Sequence, residues 1–561
     1  MDNRNIRNGN IIRSDGYSDQ PYIVKTDDGN WLLTVTTGSG HEGAGGQHVL
    51  SMRSSDKGKT WCDEIPVSPP TMPESSYSVM YKTYYGRVYC FYNFNADNLR
   101  QVAATDPPFR GGFCTRVDTQ GHFVFRFSDD CGVTWSDRWY DIPMRTFEVD
   151  RLNPYKGEIK FFWNVGKPLE LNDEVFVPLY KIREFGENFM RYSEGVLLHC
   201  DNINTERDPE KLNWETLPDG ETGIRAPHEI SVISEEHSFV PLSDGSVFCV
   251  FRTVSGSPWC SYSRDGCRSF SPPRPLTFHD GRKVKHPRAA NFIWKCSNGR
   301  YLYWFHNHGG RGYEGRNPAW LCGAVEYDSP EGRMLRFGEP QPVLYDPDPS
   351  VRMSYPDLVE DDGEYYITET QKTVARIHHI DKALIESLWS ESAFGSIPDI
   401  TAAEGWENLI DSAGRLHLPL GNTFSLRFVF EVPEHSREPM VFSAYDGTDG
   451  LLLRQDESHN LELTIYRNGQ SSVFVNNDSL LALPGRHVVT AAFDYGVGAV
   501  YFVTDGRFCD GGDESLPNSR QYGFIRFGAD DKVMRGEPIL LPEPDVVRAY
   551  VYVDRGLCIY D

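Results

Sequence analysis

Long apolar runs are missing from this chain: nowhere in its 561 residues is there a stretch approaching the roughly 20 apolar residues that cross a bilayer. Helical periodicity is almost absent, with one short candidate at Lys382–Trp389, which excludes the helix-rich classes. Basic clusters are missing too. Lys and Arg total 56 against 80 Asp and Glu, a net charge of −24 with no Lys/Arg run, so neither nucleic acid nor a membrane surface is an expected partner. The 12 cysteines follow neither CxxC nor Cys/His zinc spacing, and neither metal nor other cofactor is expected. Cys249, Cys260 and Cys267 lie near enough in sequence to pair, but buried free thiols are the plainer expectation. No basic-then-apolar leader opens the chain. The expectation is a cytoplasmic protein, or a secreted or periplasmic one if a leader has been removed.

What the chain does have is aromatic residues at 13%, together with 50 Gly and 36 Pro. That mixture suits many short strands joined by tight turns, an all-β fold. The length exceeds what one compact core holds, so two or three domains are expected. One string recurs: Ser54-Ser-Asp-Lys-Gly-Lys-Thr-Trp61, Ser128-Asp-Asp-Cys-Gly-Val-Thr-Trp135, and the degraded Ser263-Arg-Asp-Gly-Cys-Arg-Ser-Phe270. Each follows an apolar strand-like run. The Asp can accept backbone N–H bonds of its own turn, Gly supplies a positive φ, and the terminal aromatic can wedge between sheets. Weaker equivalents fall near Cys200–Trp214, Ala324–Phe337 and Thr373–Trp389, which makes six units of roughly 70 residues each.

The string resembles the Asp-box of the sialidase (neuraminidase) superfamily. That resemblance implies a six-bladed β-propeller over residues 1–395. From Trp406 onward the pattern becomes alternating strands such as FSLRFVFEV, HVVTAAFDY and AVYFVTDG, similar to a concanavalin or laminin-G sandwich, read here as residues 396–561.

The resemblance also implies site residues. Tyr355, in Met-Ser-Tyr-Pro-Asp-Leu, is followed by an Asp-Gly turn and a strand ending in Glu369, similar to the family's nucleophile segment. Glu236 precedes a strand, an Asp-Gly turn and a strand ending in Arg252, in the family's order of glutamate and second arginine. Arg316 matches the third arginine. A neutral phenol attacks poorly, so it needs a carboxylate to take its proton. A tyrosine nucleophile is the exception that sialidases make among glycosidases. Arg225, Arg288, Arg311 and His308 lie in loops suited to the same pocket, and Trp163, Trp259 and Trp320 could stack on a sugar or simply fill the core.

Two positions depart from the family pattern. Asp19, followed by Gln20, stands where the first arginine of the family belongs; a carboxylate there repels a substrate carboxylate and deprives Glu369 of its usual partner. The acid/base segment is instead a glycine-rich loop holding His41, Glu42 and His48, of which His41 or Glu42 could protonate a leaving oxygen and His48 bind a hydroxyl. The leading expectation is an exo-acting glycoside hydrolase removing a terminal, acidic sugar from a glycan, with catalysis by Tyr355, Glu236 and His41, Glu42 or Asp19. The alternatives are a His/Tyr-dependent rhamnosidase or polysaccharide lyase on the same scaffold, and a non-catalytic glycan-binding protein.

Overall fold

A computed structural model describes residues 2–396, 417–434, 439–477, 483–512, 522–547 and 549–555. Trp406, which opens the second set of strands in the sequence, lies outside the described residues. The fold is all-β. Its α-helices among the described residues are the short Glu148–Arg151 and Lys382–Ser387, the second at the candidate position and capped by the Asp381 side chain.

Six antiparallel sheets follow one another along residues 10–380. Their first strands are Tyr17–Lys25, Ser75–Lys82, Phe161–Trp163, Glu235–Pro241, Phe292–Lys295 and Leu358–Asp361. The sixth sheet borrows its outer strand from the other end of the chain: Asn10–Ile12 pairs with Ala375–Ile380, Asn10 opposite Ile377.

The recurring turns share one hydrogen-bond plan. Ser54 Oγ donates to Asp56 and accepts from Gly58 N at 2.8 Å, while Thr60 N donates to Asp56 at 2.9 Å. Ser128, Asp130, Gly132 and Thr134 repeat this, and so do Ser263, Asp265, Cys267 and Ser269. In the degraded copy Gly266 and Cys267 both sit at positive φ, so the turn survives the displaced glycine. The aromatics after the turns wedge against the preceding sheet. Trp61 joins a cluster with Ala375 and Ile377 of the sixth sheet. Trp135 Nε1 donates to Ser51 Oγ of the first at 2.9 Å, and Trp214 meets Phe91 of the second at 5.9 Å. Phe270 packs on the cluster of Leu169 and Phe176, Phe337 on Phe248 at 5.7 Å, and Trp389 Nε1 donates to Tyr301 O at 2.8 Å. The order is cyclic, since the first sheet's wedge seats on the sixth.

Three first strands carry the same fault. Their register slips between Asp19 and Tyr22, Ser76 and Val79, and Glu235 and Ser238. Within the slips, Gln20, Tyr77 and Glu236 have φ of 51°, 59° and 55°, and Tyr355, ahead of the sixth sheet's first strand, has 49°. Left-handed backbone in a non-glycine residue is costly and collects at functional sites. A bulge re-aims side chains that strict alternation would send to opposite faces.

Beyond residue 417 two further antiparallel sheets share one apolar core. One contains Phe424–Val432, Gly485–Asp494 and Ala499–Thr504; the other contains Met440–Tyr445, Gly450–Gln455 and Leu461–Arg467. Their outer face packs on the fifth of the six sheets: Trp320 contacts Tyr501, Phe508 and Phe524 at 5.5–5.6 Å. Charged links reinforce the seam, with Arg4 on Asp494 and Lys285 Nζ on Asp510 O.

Candidate functional site

Tyr355, ahead of the sixth sheet's first strand, meets Glu236 of the fourth sheet's first strand: Tyr355 Oη donates to Glu236 Oε1 at 2.8 Å. Burial pushes the phenol well above its usual range, and the Glu236 charge pushes it further against the opposing pull of Arg252. Burial also raises the Glu236 carboxyl, helped by Glu235 and opposed by Arg252. A carboxylate so raised is the stronger proton acceptor.

The bulge at Glu236 brings both Glu235 and Glu236 to Arg252. Arg252 Nε and Nη2 donate to Glu235 Oε2 at 3.0 and 2.8 Å, and its Nη1 lies 2.6 Å from Glu236 Oε2. Arg288 grips the same Glu235 from the other side, Nη2 to Oε1 at 2.7 Å and Nε to Oε2 at 3.2 Å. Burial raises Glu235, but Arg288 and Arg252 outweigh it and hold the carboxyl below its ordinary range. Arg316 has no carboxylate within ion-pair distance among the described residues; it donates to Ser354 Oγ at 2.7 Å, next to Tyr355, and to Tyr313 O at 3.0 Å. Tyr313 lies over all three guanidiniums, at 5.9, 4.8 and 5.8 Å from Arg252, Arg288 and Arg316.

Asp19 is fully buried and bound by Lys372 Nζ at 2.6 Å and by Tyr17 Oη at 2.6 Å. The same ammonium lies 3.1 Å from Glu42 Oε2 and 4.2 Å from the centre of the Tyr355 ring. Burial raises Asp19, with Lys372 opposing and Glu42 assisting. At Glu42 burial is outweighed by Lys372 and Arg116, so its carboxyl falls below the usual range; with 29% of its side chain exposed, Glu42 is the member of the pair that faces water. Arg116 completes the group, 2.7 Å from Asp118 and 3.3 Å from Glu42, and donates to Tyr77 Oη at 2.6 Å.

Other sequence candidates stand apart from this cluster. His41 is exposed and bonds its neighbours through its carbonyl. His48 is buried against Gly46 O and Asp15 at 3.3 Å. Gln20 donates to Asn164 O at 2.9 Å. Glu369 lies 3.4 Å from His378 and 3.8 Å from Arg376. Arg225 faces Glu194 at 3.8 Å. His308 bonds Gly315 O at 2.9 Å and stacks on Tyr522 at 4.7 Å, and burial lowers its pKa to about 4. Trp320 is fully buried in the seam. Sequence reasoning missed Lys372, Glu235, Arg116, Asp118 and Tyr313. Only the Glu235-Glu236 doublet left a visible signal, two acids opening an apolar strand.

A cavity of about 710 Å³ adjoins the cluster, walled by Phe109, Phe189, Ile230, Val254, Arg288 and Tyr313 among others. Phe189 ties it to the acidic group, its ring 5.2 Å from the Arg116 guanidinium. Among the described residues no group of three His, Cys, Asp or Glu is gathered to hold a metal ion, and no helix is long and apolar enough to cross a membrane.

No family model and no curated protein matches this chain. Solved structures similar to it include the intramolecular trans-sialidase from Ruminococcus gnavus, at 14% identity and TM-score 0.46 over 69% of this chain and 99% of that one. The NanB sialidase from Streptococcus pneumoniae is similar at 11% identity and TM-score 0.44, over 66% of this chain and 69% of that one. The Trypanosoma rangeli sialidase is similar at 12% identity and TM-score 0.43, over 97% and 93%.

Proposed function

We propose that this protein is an exo-acting glycoside hydrolase of sialidase type. In this reading the six sheets are the blades of a six-bladed propeller, residues 1–395, with Asp-box turns at its rim. Residues 396–561 form a concanavalin-like sandwich that braces it, and the partner is a glycan. The observation that carries the reading is the 2.8 Å hydrogen bond from Tyr355 Oη to Glu236, joining a buried phenol to a raised carboxylate. Tyr355 oxygen attacks the anomeric carbon as its proton passes to Glu236. The bond to the leaving oxygen breaks, and that oxygen takes a proton from the Asp19–Glu42 pair bridged by Lys372. Water then adds to the same carbon, giving a proton to the Asp19–Glu42 pair, while the bond from that carbon to Tyr355 oxygen breaks and Glu236 returns its proton to the phenolate. Lys372 over the ring and Arg316 beside Ser354 stand where they stabilise the forming phenolate.

The His/Tyr-dependent alternative, rhamnosidase or polysaccharide lyase, needs a histidine at the tyrosine. Neither His41 nor His48 is a partner of Tyr355, and hydrolysis by the Tyr355–Glu236 pair is favoured over a His/Tyr pair. The test is sugar release from a panel of aryl glycosides by wild type beside Tyr355→Phe. Release lost in the variant supports the reading; release that survives it sinks the tyrosine nucleophile.

A further inference from the structure

Resting on that hydrolase reading, we propose that the sugar taken by this site is a neutral glycoside, with Glu235 holding the arginine fork that a sugar carboxylate would need. Arg252 and Arg288 place four N–H donors on Glu235, using both of its oxygens, and the glutamate is fully buried. Planar guanidinium recognises carboxylate bidentately, and here that recognition is satisfied internally. An incoming carboxylate would have to displace Glu235 and leave it buried without a partner, a change that costs several kcal/mol.

The remaining charges are matched in the same way. Arg116 serves Asp118 and Glu42, and Lys372 serves Asp19 and Glu42. Arg316 alone of the cluster's cations lacks a carboxylate among the described residues, and it is held by Ser354 Oγ, Tyr313 O and Arg288 O. That position puts it beside the nucleophile, where the charge that develops on Tyr355 requires it. The adjoining cavity sets Phe109, Phe189, Ile230 and Val254 beside Arg288, Arg311 and Glu314, and its apolar walls suit the C–H face of a sugar ring.

The experiment pairs aryl glycosides of neutral hexoses and deoxyhexoses with those of uronic and ulosonic acids, using wild type, Tyr355→Phe and Glu235→Gln. The expected result is Tyr355-dependent release from a neutral glycoside, with acidic ones slower by about 100-fold or more in kcat/KM. Glu235→Gln is expected to narrow that gap about tenfold, because it frees the fork. Tyr355-dependent release from an acidic glycoside at or above the best neutral rate would overturn the proposal. Neutral preference that persists in Tyr355→Phe would instead overturn the nucleophile and leave the sugar assignment standing. Calorimetry of the wild type with free neutral sugars and with glucuronate gives a reading independent of turnover and of variant folding: tighter binding of glucuronate would refute the proposal.

Discussion

If Tyr355 and Glu236 act as one proton-transfer unit, removing both should cost no more than removing either. A phenol of pKa near 10 is ionised to about one part in a thousand at pH 7. Burial and Glu236 push Tyr355 higher still, so without a proton acceptor the attacking form is rarer than that. Glu236→Gln is therefore expected to lower kcat by about 10³-fold or more, about 4 kcal/mol of barrier, at the upper part of the range for a general base. Tyr355→Phe removes the attacking oxygen and should lose at least as much. Independent contributions would multiply to about 10⁶-fold in the double variant. A coupled pair predicts a double variant within about tenfold of the worse single one. The assay is initial-rate release from the best aryl glycoside, with each variant's fold checked by its unfolding midpoint. Multiplying losses, or Tyr355→Phe within tenfold of wild type, would refute the reasoning.

Other expectations follow from separate parts of the molecule. Lys372→Met strands Asp19 and Glu42 together without their shared cation; we expect both carboxyls to titrate higher, moving the alkaline limb of the pH–rate profile, which a proton donor sets, upward and lowering kcat/KM by about 100-fold, read from the full profile. Lys181 and Asp150 form a fully buried ion pair, so Lys181→Met should cost about 3–5 kcal/mol in urea unfolding while the KM of any cleaved glycoside stays unchanged. Burial raises Glu194 to about 7, opposed by the Gly223 N–H and Arg225. Its folded pKa lies above its unfolded one, so stability present below about pH 4.5 is lost as pH rises toward 7, about 3 kcal/mol from this group. Glu194→Gln should flatten that slope and unfold later than wild type at pH 8. Trp389→Ala removes a wedge and its bond to Tyr301 O and should cost about 3–5 kcal/mol, measured by the shift in urea midpoint.

The recurring turns were the most legible part of the sequence, because each of their places needs a particular residue. Serine, aspartate, a positive-φ position and an aromatic leave a string that survives even where glycine has moved, as at Cys267. Tyr355 and Glu236 could be paired only through resemblance, because the strand, turn and strand after each are similar to segments of the sialidase family. Glu235 was visible as half of an acidic doublet but its role was not, since alternation along a strand sends neighbours to opposite faces and only the bulge at Glu236 brings both to Arg252. Lys372 was hidden for a different reason. It is one lysine in a polar turn, and its site role comes from a backbone at φ 73° that brings it to residues 19 and 42 of the first sheet. His41 and His48 drew attention by composition, which says nothing about which way a loop turns.

The wedge of Trp61 against Ile377 also sets a timetable for synthesis. At the roughly 5–20 residues per second of translation, the wall that covers Trp61 is made about 15 to 60 s after the tryptophan itself. Throughout that interval the first sheet carries an uncovered aromatic, and Asn10–Ile12, the outer strand of the sixth sheet, waits for Ala375–Ile380. The nascent chain thus holds a sticky face at its oldest end until its sixth sheet emerges. Chaperone demand in the cell should fall on that unfinished series of sheets more than on the completed protein.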